Sequence, residues 1–472
     1  MRSLLHVVGV DRAVGITVLG TAWTSLAGLA AVVFIVHFLS GDEQGFYYTF
    51  ASLMAVRVFF ELGLGYVTLQ CVSHECAELR WTDARTLSGD GRARARLSSL
   101  FRWACTWYCV AAALMTVIVI PVGRYFFLST ESTNGTVVWQ VPWVLVCLMT
   151  GAALVLSPLM AFVEGGGRVA EGAGIRLAQA MSTSVTLWLG LALHLGLYAA
   201  PISAFAGLLV AVSWLMIRYR ALFLDLLQRT SRRVAASWRE EIWPFQWRIA
   251  VSTLSGYFIF YLFTPVLFAY QGSVEAGRMG MSLSVAGAAS GVAIAWMNTK
   301  SPRFGVWVAQ RQWQQLDAMF TRTLVQSSAV ALSSSGAAWV LVWVLNLASL
   351  PIATRILPPW PFGLLLLTGV VNNVVFCEAL YLRAHKREPF LLLSLASGLL
   401  TGLSTWFFGR YFGATGMLLG YLSISTVVGL GAGTLVFISK RRAWHHVIDA
   451  PVDLAVLLSD EVLDVTSGQR RA

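Results

Sequence analysis

The chain has 472 residues, 57% of them hydrophobic and only 12% charged, with a formal net charge of +11 and a mean hydropathy of +0.69. About a quarter of the residues of a soluble globular protein are charged, so a soluble enzyme is excluded. The basic balance, mostly Arg, is read as a set of topology signals beside membrane spans, with no nucleic acid as partner.

The opening MRSLLHVVGVDR leads into an apolar run too long for a signal-peptide core. No A-x-A-like site follows Phe34–Leu39, so this run is read as an uncleaved first span. Apolar runs of about 20 residues or more then recur along the chain, each long enough to cross a hydrocarbon layer as a helix. They are continuous rather than alternating, which favours helices over a barrel. Twelve spans are predicted, centred near Leu26, Phe59, Thr116, Leu154, Leu187, Leu208, Phe260, Ala288, Leu341, Val370, Thr401 and Leu422. The fold class is therefore an all-α polytopic membrane protein.

Lys and Arg gather in alternate connections. One set holds Arg80, Arg85, Arg92, Arg94 and Arg96, then Arg168 and Arg176, then Arg229, Arg232, Arg233 and Arg239. It continues through Lys300, Arg303 and Arg311, and Arg383, Lys386 and Arg387, to Lys440–Arg442. The other set holds little beyond Arg124, Arg278, Arg355 and Arg410. This asymmetry places both termini in the cytoplasm. The six cysteines form no metal or redox pattern; Cys105 and Cys109 sit at helical spacing inside a span.

The most basic connection, RTSRRVAASWRE, divides the spans six and six. Residues 1–228 form an N-terminal bundle, 229–244 a basic cytoplasmic linker, 245–440 a C-terminal bundle and 441–472 a cytoplasmic tail. Two echoes support a repeat. GDEQG (Gly41–Gly45) answers GSVEAG (Gly272–Gly277), and RLSSLFR (Arg96–Arg102) answers QLDAMFTR (Gln315–Arg322). Their offsets, 232 and 219, differ by an insertion within Trp81–Arg94, read as a loop. Both halves enter the membrane in the same direction, so the repeats are parallel. Ser301–Leu316 is read as a helix lying at the cytoplasmic interface, with Phe304, Trp307, Val308 and Arg311 at helical spacing.

Polar groups inside spans carry the functional reading. Arg57 and Glu61 stand one helical turn apart in RVFFELGLG, each costing about 2.5–3.5 kcal/mol at mid-membrane. At that spacing they can pair. Pairing explains their survival but not their presence, which points to function. Asn372, Asn373 and Glu378 are the interior candidates of the second half. Arg248 opens the seventh span, and Asn298 and Lys300 close the eighth. Arg248, Lys300 and Arg383 are read first as side chains snorkelling to the cytoplasmic surface. Together they would also ring a cationic vestibule suited to an anion such as a diphosphate. EGGGRVAEG lacks the Gly-Lys-Ser/Thr ending of a phosphate loop and is read as a tight turn. No histidine has a second ligand at metal spacing, so no metal or cofactor is expected.

SGDEQGFYYTF followed by RVFFELGLGYVTLQCVSHE, together with WMNTKSPRFGVWVA, resembles the polysaccharide-biosynthesis flippases of O-antigen type. These belong to the multidrug/oligosaccharidyl-lipid/polysaccharide (MOP) transporter superfamily, which includes the MATE exporters. The resemblance implies two six-helix bundles around a central cavity that opens alternately to each side. It also implies transport of undecaprenyl-diphosphate-linked oligosaccharide across the bacterial inner membrane, by a monomer among membrane lipids, with H+ or Na+ as a candidate coupling ion. On this reading Arg57 contacts the diphosphate or an acidic sugar. The equivalent position in the second half is Ala289, so the cavity would be asymmetric. A polysaccharide polymerase or acyltransferase is the competing class, but the outside loops are short and hold no His/Asp/Arg cluster. A multidrug exporter of the same fold is the third reading.

The charge asymmetry makes a direct prediction. In intact cells, on a cysteine-free background, an impermeant thiol reagent should label a cysteine at Asn134 and miss one at Arg92 or Arg232. Labelling at 232 but not at 134 would invert the topology.

Overall fold

The structure, a computed structural model, describes residues 12–82, 86–130, 137–228, 243–385 and 388–446. The linker around Arg232, the loop at Asn134 and the tail beyond residue 446 lie outside the described residues.

The first bundle begins with α1 (Arg12–Phe38) and α2 (Gly41–Met54). A 3-10 turn over Ala55–Arg57 and a single helical turn, α3 (Val58–Glu61), lead to α4 (Leu64–Glu75). A β-hairpin, Leu79–Thr82 paired antiparallel with Thr86–Gly89, precedes α5 (Gly91–Thr130). Then come α6 (Gln140–Gly165), α7 (Val169–Ala192) and α8 (Ala199–Gln228). The second bundle runs through α9 (Trp243–Phe260), α10 (Phe263–Gln271), α11 (Ser273–Asn298) and the short α12 (Ser301–Ala309). It ends with α13 (Trp313–Leu347), α14 (Pro359–Ala384), α15 (Leu391–Ile424), a π-helical stretch (Ser425–Ala432) and α16 (Gly433–His446).

Among the described residues eight helices are long and apolar enough to cross a membrane, and ten if two bent pairs each count as one span. The α7 helix and the limb of α15 beyond Gly413 supply the others that the sequence predicts. At Gly413 the backbone leaves helical geometry (φ 63°, ψ −155°), and Gly420 packs back against Ser404. All twelve predicted centres fall inside helices.

The bent pairs stand at corresponding places in the two halves. The second span turns by 47° between Glu61 and Leu64, and the seventh by 41° between Phe260 and Phe263. The first bend is built from two consecutive left-handed residues, Leu62 (φ 50°) and Gly63 (φ 68°). A leucine there costs about 1–3 kcal/mol. At Gly63 any Cβ would also meet Ile249 Cγ2 at 2.5 Å, because α9 packs directly over the bend.

Two regions differ from the sequence reading. Trp81–Arg94 is not a plain loop: its hairpin holds the Trp81 indole, which donates to the Gly166 carbonyl at 2.6 Å. The Arg168 guanidinium lies 4.9 Å from the indole ring. The hairpin thus clamps the EGGGR turn between α6 and α7. Ser301–Leu316 is not one interfacial helix. It breaks after Ala309, Arg311 takes φ 58°, and α13 starts at Trp313. Phe304 is fully buried, against the rings of Phe320 and Tyr381, so this helix is part of the second bundle's packing.

The halves meet where α9 packs over the first bend, with Phe59 against Tyr257 and Phe258, and again through the two echoed turns. Gln44 Nε2 donates to the carbonyls of Gly277 and Arg355, each at 2.9 Å. Arg355 donates in turn to the Leu39 carbonyl at 2.9 Å, and Ser273 bonds Asp42. Gly45 lies so close to the Ser273 carbonyl that a Cβ would collide with it. The 232-residue step that relates Glu43 to Glu275 also relates Gly45 to Gly277, and a Cβ on Gly277 would come within 2.9 Å of the Gly45 nitrogen. The repeat is therefore used in the structure as a near-symmetric, backbone-to-backbone seam.

A cysteine pair at Gly41 and Val274, where a Cβ on Gly41 lies 3.5 Å from Val274 Cγ2, should cross-link readily under oxidation on a cysteine-free background. Adding Gly45→Val should abolish the cross-link while leaving the protein inserted. Undiminished cross-linking would show that the seam tolerates bulk at Gly45.

Candidate functional site

The face of α1 that enters the seam continues toward its other end. Thr17, Thr21, Thr24, Gly28, Ile35 and Leu39 follow at steps of four, three, four, seven and four residues, one stripe of a helix. At the seam end Ile35 and Leu39 are buried. At the far end Thr17, Thr21, Thr24 and Gly28 are exposed. A second exposed stripe, Leu19, Ala22, Leu26 and Val33, is apolar and faces away. Lipid matches the aliphatic stripe, and the threonine stripe is a separate, polar exposed face of the same helix.

The same logic applies to α11. Ser273, Gly277 and Gly280 lie in the seam. On the same stripe follow Ser284, Gly287, Gly291 and Asn298, of which Ser284, Gly287 and Asn298 are exposed. In α4, Tyr66, Gln70 and Ser73 are exposed on the side opposite buried Leu64, Val67, Thr68 and Val72. These exposed faces carry hydroxyl, amide and glycine. At 1.5 Å per residue, Thr24 lies about 21 Å from the seam end of α1, and Arg57 about 24 Å along the helix from Gly41. Arg57 stands at the level of these faces.

Arg57 is exposed, and no hydrogen bond or ion pair among the described residues engages it. Its expected pairing with Glu61 is not formed. Arg57 closes the 3-10 turn over Ala55–Arg57 and stands at the N-cap of α3. Glu61 instead accepts from the Tyr108 hydroxyl of α5 at 3.0 Å. The cationic group is left exposed and the carboxylate is tied back into the first bundle.

The other candidates separate. Asn298 lies on the exposed stripe of α11. Lys300, half-buried, sits two residues beyond it at the joint with α12. Arg248 lies in α9, with its side chain outside the described positions. Asn372 donates to Tyr421 at 2.8 Å, Asn373 to Ser327 at 3.1 Å, and Glu378 accepts from Thr434 at 2.9 Å. These three contacts lie within the second bundle and tie α14 to α13 and to the last span. Arg383 is exposed, 3.5 Å from Glu388. Sequence reasoning missed Thr17, Thr21, Thr24, Tyr66, Gln70 and Ser73, because uncharged residues in an apolar run give no signal singly. Their period, in register with the seam residues, was the available clue. Among the described residues no cluster of His, Cys, Asp and Glu could hold a metal.

No protein-family model and no curated protein sequence matches the chain. Solved structures do match along nearly its whole length. An inward-facing multidrug resistance MATE family transporter of the MOP superfamily aligns over 92% of this chain and 99% of its own, with a TM-score of 0.67 at 13% identity. An outward-facing MATE transporter aligns over 91% and 96%, with a TM-score of 0.55 at 13% identity. A MOP superfamily transporter from Pyrococcus furiosus, described as having a binding pocket of reversed polarity, aligns over 92% and 95%, with a TM-score of 0.55 at 12% identity. The chain therefore has the fold of MOP superfamily transporters.

Removing the Tyr108 hydroxyl should cost about 1–2 kcal/mol of stability, since Glu61 loses its donor in a half-buried place. Thermal unfolding in detergent should show Tyr108→Phe melting below wild type, and Glu61→Gln, which keeps an acceptor oxygen, closer to it. Equal melting of wild type and Tyr108→Phe would remove this bond from the account.

Proposed function

We propose that the protein is an alternating-access flippase that carries undecaprenyl-diphosphate-linked oligosaccharide from the cytoplasmic to the periplasmic leaflet of a bacterial inner membrane. It would do so without covalent chemistry. The carrying observation is Arg57: a guanidinium exposed at mid-span, unengaged by protein groups, at the level of exposed neutral polar side chains. An always-charged planar fork matches a diphosphate bidentately. Its cost in a membrane is justified only where a ligand or water meets it.

With both termini in the cytoplasm, the seam of Gly45 and Ser273 is the periplasmic gate and the cleft opens to the cytoplasm, where such a lipid is assembled. The two bends place hinge-like breaks at corresponding positions of the two bundles, as expected for halves that rock against each other. The chain would act as a monomer, with H+ or Na+ as the candidate coupling ion.

The multidrug exporter reading draws on the similar structures, two of which are described as multidrug resistance transporters. An exporter of organic cations would want a free carboxylate in the cleft. Here Glu61 is engaged by Tyr108 and Arg57 is the free ion, which favours an anionic substrate.

Arg57→Ala should abolish display of a surface polysaccharide while protein levels stay normal, and Arg57→Lys should restore it only in part. The deciding variant is Arg57→Leu with Glu61→Leu. Normal polysaccharide from that double mutant would refute the binding role of Arg57. In a deletion strain, lipid-linked units should accumulate on the cytoplasmic face. Accumulation on the periplasmic face, unpolymerised, would make the protein a polymerase component instead.

A further inference from the structure

The connection between α13 and α14 turns through a 3-10 stretch, Pro351–Arg355, and is fastened to α11 of its own bundle at two points. Arg278 Nε donates to the Thr354 carbonyl at 2.8 Å, and the Leu357 amide donates to the Ser282 hydroxyl at 3.0 Å. Ile356 and Leu357 are buried. The segment from Pro351 to Leu357 is therefore a fixed part of the second bundle.

Between those fastenings Arg355 reaches across to the first bundle with both its backbone and its side chain. Its carbonyl accepts from the Gln44 amide at 2.9 Å. Its guanidinium donates to the Leu39 carbonyl at 2.9 Å. Leu39 follows the last residue of α1, so this carbonyl is one that a helix end leaves without an intrahelical partner. A cation is favoured at that end of a helix. Parting the bundles here breaks both bonds of Arg355, while the two fastenings on α11 can persist.

Arg355 makes this tie without an ion pair among the described residues. The nearby carboxylates have other partners: Asp42 has Ser273, Glu43 has the Ser40 amide at 2.8 Å, and Glu275 has Arg278 at 3.2 Å. Arg355 Nη1 is buried with no hydrogen-bond partner, 3.3 Å from where a Cβ on Gly41 would stand. A guanidinium spent on a neutral carbonyl, with one nitrogen left over, can let go without separating an ion pair. The repeat does not duplicate it: at the 219-residue offset the counterpart of Arg355 is Thr136, which carries no charge.

We propose that the segment 351–357 is a strap carried by the second bundle and that Arg355 is its latch, so that opening of the seam begins with the loss of its two cross-bundle bonds. This rests on the reading of the seam as the periplasmic gate and adds the group that holds it shut. Arg355 acts here as a positioning residue, through the first bundle's α1.

The full chain, cysteine-free except for Ile35→Cys, reports the seam in right-side-out and inside-out membrane vesicles. The readout is the rate of reaction with an impermeant thiol reagent at each face, because Ile35 is buried one turn before Leu39. Arg355→Met keeps the apolar stem and removes the donors. It should raise the rate at the periplasmic face about tenfold, as loss of one charge-assisted hydrogen bond would. Arg355→Ala should do the same, and the two serve as alternatives if one fails to insert. Arg355→Lys, which keeps the charge and a donor, should restore most of the protection. Arg410→Ala removes an arginine that lies over Tyr270 and Tyr411, away from the strap, and should leave the rate unchanged. A wild-type rate at both faces in Arg355→Met or Arg355→Ala would overturn the latch and leave the gate reading as it was. An equal rise in Arg410→Ala would also overturn the latch. A rise confined to the cytoplasmic face would leave the latch standing and overturn the periplasmic reading of the seam.

Discussion

The architecture depends on how closely two backbones approach at Gly45 and Ser273. Side chains on both helices would hold the bundles apart; glycine there lets main chain meet main chain, and Gln44 and Arg355 spend their donors on carbonyls across the contact. Away from that end α1 and α11 meet again, where a Cβ on Gly291 would lie 3.8 Å from Ser25 Oγ. The seam is made of backbone contacts and a few hydrogen bonds, the neutral ones from Gln44 contributing about 0.5–1.5 kcal/mol net each and the charged ones at Arg355 and Asp42 about 1.5–3 kcal/mol. That suits a gate better than a permanent core.

The second constraint is electrostatic. Two charges in one span would be simplest to bury as a pair, yet around the break at Leu62–Gly63 Glu61 goes to Tyr108 and Arg57 is left exposed without an ion pair among the described residues. The strain of a left-handed leucine and the cost of an unpaired guanidinium fall at the same few residues. Backbone strain clusters at working sites, and here it stands beside an exposed charge. The mirrored bend between Phe260 and Phe263 carries no such charge, so the fold repeats while the site does not.

Much of this was legible in the sequence. Apolar run length and the Lys/Arg alternation gave the helices and their number, since both follow from the physics of the bilayer rather than from packing. The echo of GDEQG in GSVEAG marked the seam itself, although nothing in a sequence says that repeated segments touch. The Arg57–Glu61 spacing was misleading because spacing alone does not show that Tyr108, on another helix, takes Glu61. Asn372, Asn373 and Glu378 looked like cavity residues because polarity in a span suggests function; in the structure, each is matched to a neighbour within its own bundle. The threonine stripe was invisible because its meaning lies in register with Ile35 and Leu39, a relation that only the packing of α1 reveals. The Trp81 hairpin was hidden by its brevity, four residues to a strand.

The central claim is that one stripe of α1 is alternately wet at its two ends. Single cysteines at Thr21 and at Ile35, on a cysteine-free background, report this through their rates of reaction with a membrane-impermeant thiol reagent applied from each side. The account predicts that Thr21→Cys reacts from the cytoplasmic side and Ile35→Cys is protected. It also predicts that Gly45→Val reverses the pair, with Ile35→Cys then reacting from the periplasmic side and Thr21→Cys protected. Simultaneous reaction at both positions, or rates at each that ignore the seam substitution, would contradict it.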